Sequence, residues 1–181
     1  MILVVAATEG ELAGVPDGAA VAQVCGVGPV EAAARTAAAL ATVRFDGVLN
    51  VGIAGAHDFA EPAFVVGSEA VYCDADDPAW YALRAVADPA LVAAAERALP
   101  GARVEPIGTS ARVGGTTGCA VEAMEGYAVL RAAAIAGVPA VEVRVLANAI
   151  GEDDRGRWRF ADAKVALEEA LPRLIEELDR A

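Results

Sequence analysis

The chain has 181 residues, enough for one ordinary domain with a continuous core, and no apolar run in it is long and unbroken enough to cross a bilayer. A formal net charge of −12 works against nucleic acid or an anionic membrane as partner. Three cysteines without close spacing and a single histidine point to neither a disulfide framework nor a metal site, so a cytoplasmic protein without a metal is expected.

Met1 to Ala7 is apolar but has no basic lead-in and meets an acid at Glu9, which suits a first strand rather than a signal peptide. Within it Ile2 to Ala6 (ILVVA) is rich in branched residues, the pattern of a strand buried on both faces. Ala7-Thr8-Glu9-Gly10-Glu11 then places two acids at its carboxyl end. After a turn at Pro16 to Gly18, Ala22 to Cys25 forms a second strand, and Gly26-Val27-Gly28-Pro29 opens a helix. Glu31 favours the positive end of that helix, and Val30, Ala33, Ala34, Ala37 and Leu40 form an apolar face expected to meet the core. The two glycines read first as a tight turn and second as an anion cradle.

Val48 to Val51 is another buried strand, running into Gly52-Ile53-Ala54-Gly55-Ala56, whose small residues would let a ligand or a helix approach the backbone. His57 and the acids Asp74, Asp76 and Asp77 read as solvated loop residues, on either side of a strand from Phe64 to Cys73 bent at Gly67. Asp88-Pro89 caps a helix carrying Leu91, Val92, Ala95 and Leu99 on one face, and Val104 to Ile107 is a short strand. Thr109 to Gly115, with hydroxyls and glycines, reads as a pocket wall or a solvent loop. The last helix, near Asp162 to Arg180, turns Leu167, Leu171, Leu174 and Leu178 inward. Its outer face carries Glu169, Arg173 and Glu177 at ion-pair spacing, and Pro172 should kink it. This alternation predicts an α/β fold, one domain over residues 1–181 with a mixed, largely parallel central sheet flanked by helices. Ligands in such sheets collect beyond the carboxyl ends of the strands.

The chemistry is expected between Cys119 and Asn148, CAVEAMEGYAVLRAAAIAGVPAVEVRVLAN. Glu122 and Glu125 flank Met124 at the front of an apolar helix that ends at Gly137-Val138-Pro139, and Glu122 reads as a helix-start acid. In the strand Ala140 to Leu146 the valines face one way while Glu142 and Arg144 face the other. For Glu142 a solvent-facing position or an internal salt bridge is the plain reading. Arg144, nearer the carboxyl end, would find Glu11, Glu125 or a bound water. Asn148 offers a donor and an acceptor but no acidic proton.

The segments VAATEGEL, CGVGPVEAA, NVGIAGA, VEAMEG and VRVLAN occur in the order seen in the nucleoside phosphorylase and nucleosidase superfamily, and the chain most resembles its futalosine hydrolase branch. The likeness spans almost the whole chain. It implies a nucleoside phosphorylase-like fold and cleavage of the N-glycosidic bond of a purine nucleoside, with futalosine as substrate and menaquinone biosynthesis as the setting. By the same resemblance Glu11 positions or deprotonates the attacking water, Arg144 lies near that water, Glu125 binds the ribose hydroxyls and Met124 packs on the sugar. Ala54 and Gly55 match small residues lining the ligand. Asn148 stands where adenosine-type nucleosidases carry an aspartate, which fits hypoxanthine as the leaving base. The resemblance also implies no cofactor, and a homo-oligomer of two or more chains. No arginine precedes the glycine-rich stretch at Leu49-Asn50-Val51-Gly52, so water rather than phosphate is the expected acceptor. The stretch from Asp74 to Ala87 is shorter than in typical relatives. Two other readings stay open: a nucleosidase or phosphorylase of the same fold with another nucleoside, and a non-catalytic nucleoside-binding homologue.

Overall fold

The computed structural model describes residues 1–116 and 118–181. Its strands are β1 (Ile2–Ala6), β2 (Ala20–Val24), β3 (Gly47–Ala56), β4 (Phe64–Tyr72), β5 (Arg84–Val86), β6 (Arg103–Thr109), β7 (Val121–Ala123) and β8 (Ala140–Ala149). Its α-helices are α1 (Pro29–Thr42), α2 (Pro89–Ala98), α3 (Gly126–Ala136) and α4 (Phe160–Asp179). Every residue of β1 is buried, as its unbroken apolar run requires.

β1 lies between β2 and β3, parallel to both. β3 also pairs with β7 and β8, β8 with β4, β4 with β6, and β6 with β7, so these five strands close a ring. β5 extends the sheet from β4. Closure leaves the ring itself without an open edge of the kind that templates association, and among the described residues β2 and β5 are the strands left with a free side. Among the described residues five of the eight pairings are parallel, which matches the mixed, largely parallel sheet read from the alternation of elements. Two irregularities matter for the site. The pairing of β4 with β6 shifts between Gly67 and Ala70, where the sequence suggested a bend. The pairing of β3 with β8 passes from Ala54–Leu146 to Gly55–Asn148, leaving Ala147 as a bulge that re-aims Asn148.

The leucine stripe of α4 (Leu167, Leu171, Leu174 and Leu178) is buried, and this helix packs on α2, β3 and β8. Its outer face differs from expectation. Arg173 donates to the Arg97 carbonyl, 2.9 Å away, and Glu177 pairs with Arg97 and Arg180 instead. On α1 the expected core face is largely open. Only Ala32 and Thr36 are buried, while Val30 is 79% exposed. The small residues make the inward seam, and Val30, Ala33, Ala34 and Ala37 line a cleft of about 630 Å³ with residues of α3. α3 begins only at Gly126, so Glu122 lies on β7 and is not a helix-start acid. Asp74 is more than a solvated loop acid, since it accepts from the Ser110 hydroxyl and the Ala111 amide. Among the described residues no helix is long and apolar enough to cross a membrane.

Candidate functional site

A cavity of about 400 Å³ opens beyond the carboxyl ends of β1, β3 and β8. Glu11, Ala54, Gly55, Met124, Glu125 and Asn148 all line it. Arg144 does not; it lies behind the wall, 1% exposed.

Glu11 sits on a short 3-10 turn, Glu9–Glu11, directly after β1. Its Oε2 accepts from the Thr8 amide at 2.9 Å and the Thr8 hydroxyl at 2.8 Å, a capping box that fixes the side chain. Among the described residues its Oε1 accepts only a longer bond, 3.3 Å, from the amide of Ile53 on β3. Each carboxylate oxygen offers two lone pairs, so Oε1 keeps capacity for one more donor. Gly52 makes this approach feasible, because a Cβ there would stand 2.8 Å from Glu11 Oε1 and collide with Arg144 Nη1.

Glu125 is 4% exposed, at the start of α3. One oxygen accepts from the Gly28 amide at 3.0 Å and the other from Arg144 Nη1 at 3.4 Å. The Gly28 backbone reaches it at φ 90°, a region that favours glycine. At the Gly26–Gly28 turn the Gly28 amide is therefore directed at a carboxyl of the protein itself. Thr109 supports the same corner, its hydroxyl accepting from the Tyr127 amide at 2.8 Å in the first turn of α3.

Behind the cavity, Arg144 donates from Nε to Glu142 at 2.7 Å and from Nη2 to Asn50 at 2.7 Å, while Asn50 donates to the Val5 carbonyl at 3.0 Å. Of the two plain readings for Glu142, the internal salt bridge is the one found. Burial alone would lower the Arg144 pKa, but Glu142 and Glu125 outweigh it and hold it above the ordinary value. Burial pushes the Glu142 carboxyl up, against the opposing pull of Arg144. Burial also raises the Cys25 thiol, near Glu125, to about 11.

Asn148 gives its amide nitrogen to the carbonyl of Ala149 at 3.0 Å, which leaves the amide oxygen, an acceptor, for a ligand. Glu122, 6% exposed, accepts from the amides of Gly114 and Thr116 at 2.8 and 3.4 Å. It thereby holds the loop that brings Val113 to the cavity, so the stretch from Thr109 to Gly115 does contribute pocket wall. Arg155, Trp158, Phe160 and Lys164 also line the cavity. Trp158 and Phe160 meet edge to face, 5.0 Å between centroids, and Arg155 lies 5.7 Å over the indole. Among the described residues no cluster of three His, Cys, Asp or Glu side chains could hold a metal ion.

A model of the phosphorylase superfamily matches residues 6–181. The chain belongs to the phosphorylase superfamily. Futalosine hydrolase of Streptomyces coelicolor is 33% identical over 182 residues, a match covering 85% of this chain and 77% of that protein. A second futalosine hydrolase, from Thermus thermophilus, is 42% identical over 60 residues, covering 33% and 27% of the two chains. Among solved structures, the S-adenosylhomocysteine nucleosidase of Streptococcus pyogenes superposes with a TM-score of 0.83 at 23% identity, covering 97% of this chain and 95% of that one. The 5'-methylthioadenosine/S-adenosylhomocysteine nucleosidase of Colwellia psychrerythraea, solved with adenine, gives a TM-score of 0.83 at 22% identity, with 98% and 95% covered. At these identities the two structures share the fold.

In this phosphorylase superfamily member, six of the seven site residues read from the sequence converge on one cavity and the seventh, Arg144, stands behind two of them. The sequence reading missed the lining residues Arg155, Trp158, Phe160 and Lys164. Their available signal was Trp158-Arg159-Phe160, an aromatic pair in a chain with only 5% aromatic residues. It also missed the loop-holding role of Glu122, for which spacing alone carries no signal.

Proposed function

We propose that the protein is a futalosine hydrolase-type nucleosidase that cleaves the N-glycosidic bond of a purine nucleoside and releases hypoxanthine. The observation that carries this reading is the convergence of Glu11, the Met124–Glu125 pair and Asn148 on one cavity. The sequence likeness to the Streptomyces coelicolor futalosine hydrolase supports the substrate, and with it a place in menaquinone biosynthesis.

The chemistry follows from the geometry. Glu11 is held by Thr8 at one oxygen and keeps the other, Oε1, for a water, which it orients and deprotonates as a general base. Water adds to the anomeric carbon as the bond to the purine nitrogen breaks, the departing base takes a proton from solvent, and the proton that Glu11 removed from water returns to solvent. Positive charge develops on the ribose in between, and the buried Glu125 carboxylate, beside the sugar-packing Met124, stabilises it and binds the hydroxyls. The Asn148 oxygen accepts a hydrogen bond from an N–H of the purine, which favours the protonated leaving group. Arg144 positions Glu125 from behind.

Phosphorolysis is the second reading, favoured by one observation. Lys164, the only lysine of the chain, lines the cavity, and its Nζ would lie 3.1 Å from a Cβ at Gly10. Chromatography of the protein incubated with futalosine in phosphate-free buffer decides between them. Free hypoxanthine with a free sugar product supports hydrolysis. Turnover that requires phosphate refutes it, and stabilisation by ligand without product refutes both in favour of a binding protein.

We assign the cleft between α1 and α3 to self-association into a dimer or higher homo-oligomer, because Val30 and Ile135 at its rim are 79% and 73% exposed. A monomer by light scattering would refute this.

A further inference from the structure

Arg144 is surrounded by more negative charge than it needs. Glu125 alone would neutralise it, and Glu11 lies just across Gly52. Glu142 adds a third carboxylate, wholly buried, with its Oε2 lacking any hydrogen-bond partner among the described residues. An unsatisfied buried carboxylate oxygen destabilises a fold, so neutralisation does not account for this one.

Bond lengths show what it does. A guanidinium is a rigid plane, and two short bonds on different nitrogens fix both its position and its tilt. The short bonds here are Nε to Glu142 and Nη2 to Asn50, each 2.7 Å, whereas Nη1 to Glu125 is 3.4 Å. Glu125 is therefore the recipient of a guanidinium aimed by others. Glu142 also touches the other side of that contact. Its carboxylate occupies the space a Cβ on Gly126 would take, directly after Glu125 and at the first residue of α3.

We propose that Glu142 is a positioning residue: it aims Arg144 at Glu125 and at the Gly52 gap facing Glu11, and it braces the start of α3 on which Glu125 is carried. It touches no substrate and acts through these two contacts. The inference rests on the nucleosidase reading for its consequence in turnover, and on geometry alone for its effect on Arg144.

Two variants test it. Glu142→Gln keeps an oxygen to accept from Arg144 Nε, while Glu142→Leu removes the acceptor at similar size. The leucine variant is expected to lose about 10- to 100-fold in kcat with KM within about threefold, because misplacement near 1 Å is enough for such a loss. The glutamine variant is expected to stay within about threefold of the wild type. Independently of activity, the Arg144 Nε–H signal in 15N NMR should be resolved and protected in the wild type and the glutamine variant, and lost in the leucine variant. A leucine variant with wild-type kcat, equal losses in both variants, or a protected Nε–H in the leucine variant would each overturn the proposal. If the wild type cleaves no nucleoside, the functional reading fails while the NMR comparison still decides the positioning role. Should the leucine variant fail to fold, wild-type turnover and a protected Nε–H in the glutamine variant support the proposal, and loss of either overturns it.

Discussion

Replacing Glu11 by glutamine separates its proposed role as base from the bonds that hold it. Among the described residues the carboxylate accepts three hydrogen bonds, two from Thr8 at 2.8 and 2.9 Å and one from Ile53 at 3.3 Å. A glutamine must turn its NH2 toward one of these donors, and the least costly choice is the long bond to Ile53. The fold then loses one weak contact, about 1–2 kcal/mol, or a fall in Tm of roughly 2–8 °C for a chain of this size. In the mechanism proposed above the chemistry loses its general base, worth about 10²- to 10⁴-fold in rate, or roughly 3–5 kcal/mol of barrier. Turnover should therefore collapse in a protein that is still folded and still binds nucleoside. The assay is hypoxanthine release from futalosine, read beside calorimetric binding of an uncleavable nucleoside and a thermal melt. A kcat within threefold of the wild type would refute the assignment of Glu11, and a loss of kcat matched only by the unfolded fraction would refute the separation of roles.

Arg144→Met should lower stability by about 3–5 kcal/mol in urea titrations, because it strands Glu142 and Glu125 in the interior. Gly126→Ala should cost about 1–3 kcal/mol by driving a Cβ into the Glu142 carboxylate, and adding Glu142→Ala should recover part of that loss in a double-mutant cycle. The Cys25 thiol, raised by burial from 9.0 to about 11, ionises later in the folded state than in the unfolded one. Its stabilisation is complete below pH 9 and disappears as pH climbs toward 11, so unfolding titrations over that range should fall more steeply for the wild type than for Cys25→Ala. Ile135→Glu, at an exposed position on α3, should shift the light-scattering mass toward the monomer without changing the fold seen by circular dichroism.

The elements most legible in the sequence were those whose burial is uniform along their length. The ILVVA run of β1 and the leucine stripe of α4 each meet the core along a whole face, so composition and period suffice to find them. α1 was misread because its apolar face and its inward face differ: Ala32 and Thr36 are chosen for close approach, and small residues give a weaker signal than valine. Glu122 was misread because VEAMEG looks continuous in the sequence, whereas β7 ends at Ala123 and α3 starts at Gly126. The site itself was visible as strand-end motifs, but the link from Gly28 to Glu125 spans 97 positions and is set only by the closing of the sheet.

The place of β8 in the ring bears on how the chain comes together in time. β8 pairs with β3 on one side and β4 on the other, yet both of these strands are synthesised well before it. Until residues 140–149 emerge, β3 presents a long edge of unpaired amides and carbonyls over Val48–Ala56 and β4 a shorter one over Phe64–Gly67, the kind of surface that captures other chains. The strand that carries Arg144 and Asn148 is thus also the one whose late arrival ends the aggregation-prone phase, so substitutions in β8 that barely alter the finished protein should still reduce its soluble yield.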